Sequence, residues 1–204
     1  MSKEKDKCIS VFGASSDSIP QRCKDFAYEL GRLMAINGYT LVFGAGTSGL
    51  MGACARGMHS EKGEIIGVIP EKLNKPGIYY EECSERIETK TMGERKAMME
   101  ALCSGYVALP GGYGTIEELM EVMTLKQLNY HNDPIIIANL DGYYDALLAQ
   151  FDRCVEDGFT HRDFLNLFSV AETPEQIIEQ LRNYQPITVP DKLEDLIRFR
   201  SGKT

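Results

Sequence analysis

The chain passes from an apolar strand into a long helix through the stretch Leu109-Pro-Gly-Gly-Tyr-Gly-Thr-Ile-Glu-Glu118. Its glycines, Gly111, Gly112 and Gly114, are expected to adopt positive φ and to let a ligand approach the backbone closely. Thr115 is expected to cap the helix and to offer its hydroxyl. Because the first turn of a helix carries unpaired N–H groups and the positive end of the dipole, the stretch predicts a phosphate site. The alternative is a tight turn before a helix, without a ligand.

The helix that follows has two apolar faces in its sequence pattern. The face expected to pack on a sheet consists of Ile116, Leu119, Met120 and Met123. A second stripe contains Val122 and Leu125, and the charged Glu118 lies on it. Glu117 and Glu121 point toward a polar sector and are expected to be solvated. A helix that is apolar on two sides is normally buried on both, so the second stripe indicates a further contact, either within the chain or in a homodimer.

A second charge lies on an apolar stripe in the preceding helix. That stripe consists of Met92, Met98, Met99 and Leu102. Arg95 falls inside it. A charge on an apolar stripe lowers stability unless it is paired or used, so Arg95 and Glu118 are candidates for a functional pair. The alternative is an ordinary structural ion pair.

Strand patterns and helix patterns alternate along the rest of the chain. Strands are predicted at 8–12, 40–43, 64–69, 85–90, 105–109, 134–138 and 167–170, and further helices at 21–37, 50–61, 144–157 and 174–184. This alternation predicts an α/β fold with a Rossmann-like, doubly wound parallel sheet of about seven strands and helices on both faces. We expect one domain, 1–204, with a C-terminal tail at 185–204 that contains the amphipathic residues Leu193, Leu196 and Ile197.

A second glycine loop, Gly44-Ala-Gly-Thr-Ser-Gly49, also joins a strand to a helix. It fits the G-x-G-x-x-G pattern of dinucleotide sites, and Gly46 and Thr47 are candidate ligand contacts, as is Ser15 in the loop after the first strand. The dinucleotide interpretation, and with it an NAD-linked oxidoreductase, is weakened because the pattern lies on the second strand-helix unit instead of the first. The segment 70–84 has no helical period and is predicted to be a lid or rim loop.

Composition restricts the class of ligand. The net charge of -8 argues against a nucleic-acid polymer or an anionic membrane as partner, so the ligand should be small. The six cysteines and three histidines are scattered without a CxxC pair, which predicts reduced thiols and no metal site. The N-terminus carries charges of both signs and no signal or membrane segment, so a cytoplasmic protein is expected.

Two motifs resemble those of a known family. Met92-Gly-Glu-Arg-Lys96 followed by Pro110-Gly-Gly-Tyr-Gly-Thr-Ile-Glu-Glu118 resembles the LONELY GUY family of cytokinin riboside 5′-monophosphate phosphoribohydrolases, formerly labelled possible lysine decarboxylases. The resemblance also covers 10–16, 42–52 and 67–70 and extends to about residue 144. It implies hydrolysis of the N-glycosidic bond of a purine nucleoside 5′-monophosphate, with an N6-modified adenosine as the nucleoside. It also implies a homodimer with active sites near the subunit boundary, and no cofactor is expected.

The resemblance also implies roles for individual residues. Glu118 would stabilise charge at the anomeric carbon and activate water, Arg95 would orient Glu118 or polarise the substrate, and Lys96 would add positive charge near the phosphate or ribose. The substrate-binding set is Ser15, Gly46, Thr47, Lys96, Gly111, Gly112, Tyr113, Gly114, Thr115 and Thr124. Where family members place an acidic contact early in the 70–84 loop, this chain has Lys75-Pro-Gly77, and Glu81 or Glu82 is the candidate substitute.

Two other functions compete with the hydrolase. The first is a non-catalytic nucleotide or cofactor carrier of the same fold, and the second is the NAD-linked oxidoreductase. Arg95 and Glu118 favour the hydrolase, because a binding module does not require a carboxylate beside a scissile bond. A decarboxylase would require pyridoxal phosphate on a lysine, and the sequence singles out no such lysine.

Overall fold

The computed structural model describes residues 7–189, which form seven strands and six α-helices. The strands are β1 (Cys8–Phe12), β2 (Thr40–Phe43), β3 (Ile65–Pro70), β4 (Glu85–Thr89), β5 (Tyr106–Ala108), β6 (Ile135–Ala138) and β7 (Ser169–Ala171). The helices are α1 (Gln21–Ile36), α2 (Gly49–Ser60), α3 (Met92–Leu102), α4 (Tyr113–Gln127), α5 (Asp145–Glu156) and α6 (Pro174–Asn183). Short 3-10 helices span Glu71–Leu73, Leu140–Gly142 and Arg162–Leu167.

All seven strands belong to one sheet, in the order β4-β3-β2-β1-β5-β6-β7, and every neighbouring pair is parallel. The predicted fold class is therefore confirmed. Every residue of β1, β2 and β3 is buried, as expected for strands of a parallel sheet that is covered on both faces. The chain leaves β1 toward β2 on one side and returns to β5 on the other, so the sheet changes winding direction between β1 and β5.

Alternate residues of each strand enter two separate cores. Ile9 and Val11 of β1 pack with residues of α1, α2 and α6, whereas Cys8 and Phe12 pack with residues of α3, α4 and α5. The α1 and α2 helices touch at Gly31 and Gly57, where a Cβ atom would clash with the backbone of the opposite helix. The site described below lies where these two layers meet at the carboxyl ends of the strands.

The buried face of α4 differs from the predicted one. Leu119, Val122 and Met123 are buried in the core, whereas Met120 is exposed and Leu125 is only partly buried. The prediction that Val122 lies on a second stripe, separate from the sheet-facing residues, was wrong, because Leu119 and Val122 are three residues apart and thus only about 60° apart around the helix. Val122 therefore extends the face of Leu119 and is not free for a second partner.

A buried lysine at the end of α4 was not expected from the sequence. Lys126 is 1% exposed, and its Nζ donates to the Asp133 carbonyl at 2.8 Å and to the Tyr184 hydroxyl at 2.9 Å. Burial lowers the pKa of Lys126 to about 8, although the Asp133 carboxylate opposes the shift. These bonds tie the C-terminal end of α4 to the segment after α6.

The start of the predicted tail continues along this surface. Asn132 donates to the Ile187 carbonyl and accepts from the Ile187 N–H at 3.2 Å. The amphipathic residues Leu193, Leu196 and Ile197 lie outside the described residues. Within residues 7–189, no helix is long and apolar enough to span a membrane.

Candidate functional site

The loop between β5 and α4 lies at the position where the sheet changes winding direction. α4 begins at Tyr113, directly after Gly112, and no side chain of the described residues caps its N-terminus. The first-turn N–H groups of a helix have no intrahelical partners. The positive end of the helix dipole lies at the same place, so both features favour an anion there. The helix start at which the sequence predicts an anion site is therefore uncapped.

The glycines of this loop matter because they lack side chains, and not because they adopt an unusual backbone conformation. The prediction of positive φ was wrong, since Gly111, Gly112 and Gly114 all lie outside the left-handed region. A Cβ on Gly111 would clash with the Thr115 side chain, whereas Gly112 and Gly114 face open space. Thr115 is a buried residue of the first turn and not the cap, because Gly112 holds the cap position and Thr115 lies three residues after it. The two open glycines leave the helix start accessible to a ligand.

A cavity of about 360 Å³ adjoins this helix start. Its lining includes Ala14, Ser16, Ile19, Arg22, Leu50, Gly111, Gly112, Asp141 and Tyr143. Ser16 lines the cavity, while the predicted contact Ser15 is an exposed neighbour. The Tyr143 hydroxyl donates to the Gly111 carbonyl at 2.8 Å, which fixes the cavity wall to the glycine loop.

At the second glycine loop, groups of the protein already accept the N–H hydrogen bonds of the helix start. The Gly49 N–H at the start of α2 donates to the Asp17 carboxylate at 2.9 Å, and the Leu50 N–H donates to the Ala14 carbonyl at 2.8 Å. A carboxylate thus occupies the position at which this helix start would bind an anion. The geometry argues against a dinucleotide pyrophosphate at this loop.

The segment 70–84 covers that closed loop. The Tyr80 N–H donates to the Ala45 carbonyl at 2.7 Å, the Thr47 N–H donates to the Ile78 carbonyl at 3.1 Å, and Gly46 forms a bridge with Tyr79. The predicted lid is therefore anchored, and Gly46 and Thr47 contact it. Of the two acidic candidates in the segment, Glu82 accepts a hydrogen bond from the Tyr80 hydroxyl at 3.0 Å, and Glu81 is exposed.

Arg95 and Glu118 form an ion pair between α3 and α4. Arg95 Nη2 lies 3.2 Å from Glu118 Oε1, and the side chains are 10% and 11% exposed. The guanidinium packs against Gly44, just after β2, where any Cβ would clash with it. Arg95 Nε is buried and has no hydrogen-bond partner among residues 7–189. An unsatisfied buried donor beside a buried carboxylate is unusual in a purely structural pair and is consistent with a substrate or water oxygen bound there.

The environment of Glu118 makes its carboxylate a stronger base than an exposed one. Burial raises the pKa of Glu118, the nearby Arg95 charge opposes that shift, and the Glu117 charge adds to it. A carboxylate of this kind can accept a proton more readily than an ordinary glutamate while Arg95 favours its ionised form.

Lys96 has partners within the protein. Its Nζ forms ion pairs with Glu117 and with Glu121, the latter at 2.8 Å. Glu117 is exposed and Glu121 is partly exposed, as expected, and both also pair with Lys96, the residue after Arg95 on α3. The hydrogen bonds to Glu117 and Glu121 raise the pKa of Lys96. With both carboxylates in place, Lys96 carries little uncompensated charge toward a ligand.

Thr124 lies apart from these groups. Its hydroxyl donates to the Met120 carbonyl at 2.7 Å, and it lines a separate apolar cavity of about 210 Å³ with Phe151 and Phe168. Six residues separate it from Glu118, or about 9 Å along the helix axis. The structure therefore does not bring Thr124 to the Arg95 and Glu118 pair.

One ion pair at the site was missed in the sequence. Arg22 Nε lies 2.5 Å from Asp141 Oδ2 across the mouth of the cavity. The two residues are 119 positions apart, so no local pattern relates them. Among residues 7–189 no group of three or more His, Cys, Asp or Glu side chains could hold a metal ion.

Solved structures share this architecture. The molybdenum cofactor carrier protein from Chlamydomonas reinhardtii matches with a TM-score of 0.66 at 23% identity, over 87% of this chain and 98% of that chain. The molybdenum cofactor binding protein from Rippkaea orientalis matches with a TM-score of 0.65 at 22% identity, over 86% of this chain and 94% of that one. At such identities the likeness shows the fold alone.

Sequence comparisons are more specific. The family model described as "Possible lysine decarboxylase" matches residues 51–181. The Arabidopsis thaliana protein named "Cytokinin riboside 5'-monophosphate phosphoribohydrolase LOG4" is 37% identical over 91% of this chain and 86% of its own length. The Oryza sativa subsp. japonica protein named "Probable cytokinin riboside 5'-monophosphate phosphoribohydrolase LOGL2" is 39% identical over 87% of this chain and 73% of its own length. With both motifs in place on the predicted elements, the chain belongs to the LONELY GUY family, as its sequence pattern indicated.

Proposed function

We propose that this protein hydrolyses the N-glycosidic bond of a cytokinin riboside 5′-monophosphate, an N6-modified adenosine nucleotide, to the free base and ribose 5-phosphate. The observation that carries the proposal is the buried pair of Arg95 on α3 and Glu118 on α4, the helix whose N-terminus is open to a phosphate. Relatives at 37% and 39% identity carry the name of this activity. A hydrolase acting on a small nucleotide also agrees with the acidic net charge of the chain.

The distance along α4 suits one bound nucleotide. Gly112 and Glu118 are six residues apart, which corresponds to about 9 Å along the helix axis. With the 5′-phosphate on the first-turn N–H groups near Gly112 and Gly114, the ribose would extend along the helix and bring its anomeric carbon toward Glu118. The phosphate serves as an anchor, and the carboxylate is then held beside the bond that breaks.

Cleavage of the glycosidic bond develops positive charge on the ribose. An ionised Glu118 would stabilise that oxocarbenium-like state and accept a proton from the attacking water. The water oxygen forms the new bond to the anomeric carbon, and the base leaves with the electron pair of the broken bond. The base takes up one proton from solvent, and Glu118 returns to solvent the proton that it accepted from water, so the reaction is balanced. Arg95 would hold Glu118 in its ionised form, and its free Nε–H is available to a substrate or water oxygen.

The carrier alternative has less support. It draws on a fold shared with cofactor carriers at 22–23% identity, which says nothing of ligand or reaction. A carrier would not require a carboxylate whose pKa is raised by burial beside an arginine. The oxidoreductase alternative loses its motif, since the loop Gly44–Gly49 is closed by Asp17.

A cytoplasmic homodimer completes the proposal. Only Arg95 and Met99 of α3 are buried within one subunit, while Ala97, Met98 and Ala101 are exposed on the same helix. A helix with so little buried surface gains stability from an apolar partner, and a second copy of α3 across a two-fold axis provides one. This surface replaces the Val122 stripe, which the core of the subunit already uses.

The first prediction concerns Glu118. Glu118→Gln keeps the size of the side chain but removes its charge, so release of adenine from AMP is expected to fall by on the order of a hundredfold or more, with AMP binding retained. Glu179→Gln, on the exposed surface of α6, is the control and should be near wild type. Glu117 cannot serve as the control because it binds Lys96. Turnover of Glu118→Gln close to wild type would remove Glu118 from the mechanism.

The second prediction is the pH dependence of the wild-type enzyme. An ordinary glutamate has a pKa of about 4.3. Because burial raises the pKa of Glu118 and the ionised form is the active one, kcat/KM should fall on acidification at a higher pH than that value. A profile that stays flat down to the ordinary glutamate range would contradict an ionised, buried Glu118 as the base.

The third prediction concerns Gly44. Any side chain at this position displaces the Arg95 guanidinium, so Gly44→Ala should lower base release by tenfold or more, on the order of the loss of one charged contact, without unfolding the protein. Gly93→Ala is the matched control, since only the Thr91 hydroxyl lies within reach of a Cβ there. Equal activity in the two variants would show that Arg95 does not need its present position.

The fourth prediction concerns the dimer. Met98→Glu places a charge in the proposed apolar contact and should convert the dimer to monomer in sedimentation at roughly 50 µM. Ile36→Glu alters an exposed apolar residue on α1, on the other side of the sheet, and should leave the dimer intact. A monomeric wild type, or a dimeric Met98→Glu, would exclude this interface.

A further inference from the structure

The site as described lacks a cation for the phosphate. Arg95 is paired with Glu118, and Lys96 is paired with Glu117 and Glu121. Neutral N–H groups at a helix start bind a phosphate weakly in a protein whose net charge is -8. A nucleoside monophosphate that is bound through a dianionic group therefore calls for a further positive side chain beside Gly111 and Gly112.

Arg22 is the arginine that lines the cavity at this helix start. It shares the cavity wall with Gly111 and Gly112, and its guanidinium reaches Asp141 Oδ2 at 2.5 Å across the opening. The two side chains are 65% and 56% exposed. An ion pair this exposed contributes little to stability, so the arginine can exchange its partner for a stronger one.

The residue that holds Arg22 is itself held in an uncommon conformation. Asp141 has a φ of 53°, in the left-handed region, and Gly142 follows with a φ of 73°. The turn is fixed at both ends, because Asn139 donates to Asp145 Oδ1 at 2.8 Å and the Tyr143 hydroxyl donates to the Gly111 carbonyl at 2.8 Å. The same turn thus holds the glycine loop before α4 in place and positions a carboxylate beside Arg22.

We propose that Arg22 is a phosphate-binding residue that leaves Asp141 to bind the 5′-phosphate of the substrate at the start of α4. This inference rests on the proposed function and adds a specificity residue to it. A phosphate with two negative charges and three acceptor oxygens competes well against one carboxylate, and the planar guanidinium can donate two hydrogen bonds to it. Before the substrate binds, Asp141 keeps the arginine at the mouth of the cavity.

The test compares AMP with adenosine by calorimetry. For Arg22→Gln, the dissociation constant for AMP should rise about tenfold or more, the size expected for one charged hydrogen-bonded contact, while that for adenosine stays within about twofold. For Asp141→Asn, AMP should bind more tightly than to wild type, because the competing carboxylate is gone, and asparagine tolerates the left-handed φ. Because the Arg22 side chain is exposed and belongs to no core, the Arg22→Gln variant should fold normally.

Arg153→Gln is the matched control. Arg153 Nε lies 2.5 Å from Asp157 Oδ2 in an exposed pair at the C-terminal end of α5, outside the cavity. Loss of the Arg153 charge should therefore change neither dissociation constant. If wild type binds AMP and adenosine equally, the proposed function itself fails. If wild type prefers AMP but Arg22→Gln keeps that preference, or if Asp141→Asn weakens AMP binding or leaves it unchanged, the role of Arg22 is refuted and the proposed function stands.

Discussion

The buried ion pair of Arg95 and Glu118 is the interaction on which the arrangement of the site depends. It joins α3 to α4 and fills the space that Gly44 leaves at the end of β2. Desolvating two charges is expensive, and a well-packed apolar pair in the same place would be as stable or more so. Since burial raises the pKa of Glu118, its contribution to stability is present below the ordinary glutamate pKa and is lost as pH rises through the raised value. At neutral pH the ionised carboxylate therefore weakens the fold, which is expected of a residue kept for chemistry.

The two glycine loops of the sheet edge illustrate how similar sequences take different roles. Both join a strand to a helix, but the start of α2 is satisfied by Asp17 and covered by the segment that includes Tyr80. The start of α4 has no capping side chain among the described residues and adjoins an open cavity. Which of the two helix starts can bind a ligand anion depends on which one already contacts a carboxylate of the protein. That contact is set by the tertiary structure.

Much of the fold was predictable because its signals are local. The continuous apolar runs gave the bounds of β1 and β2 to the residue, and a charge on an apolar stripe identified Arg95 and Glu118. The features that the sequence did not predict depend on tertiary contacts instead of local signals. Three contacts depend on elements that are distant in the chain or on the rotation of a helix about its axis. They are the burial of Lys126, the pairing of Lys96 with two glutamates and the contact of Arg22 with Asp141. The sequence pattern predicts positive φ for the glycines before α4, whereas in the structure Gly112 and Gly114 have ordinary φ and leave space beside the helix start.

The most direct test of the account is a crystal structure of the Glu118→Gln variant with AMP bound. We expect the 5′-phosphate on the first-turn N–H groups of α4, next to Gly112, with the anomeric carbon of the ribose facing residue 118 and Arg95 still packed on Gly44. A phosphate at the start of α2 in place of Asp17, or an anomeric carbon directed away from residue 118, would contradict it.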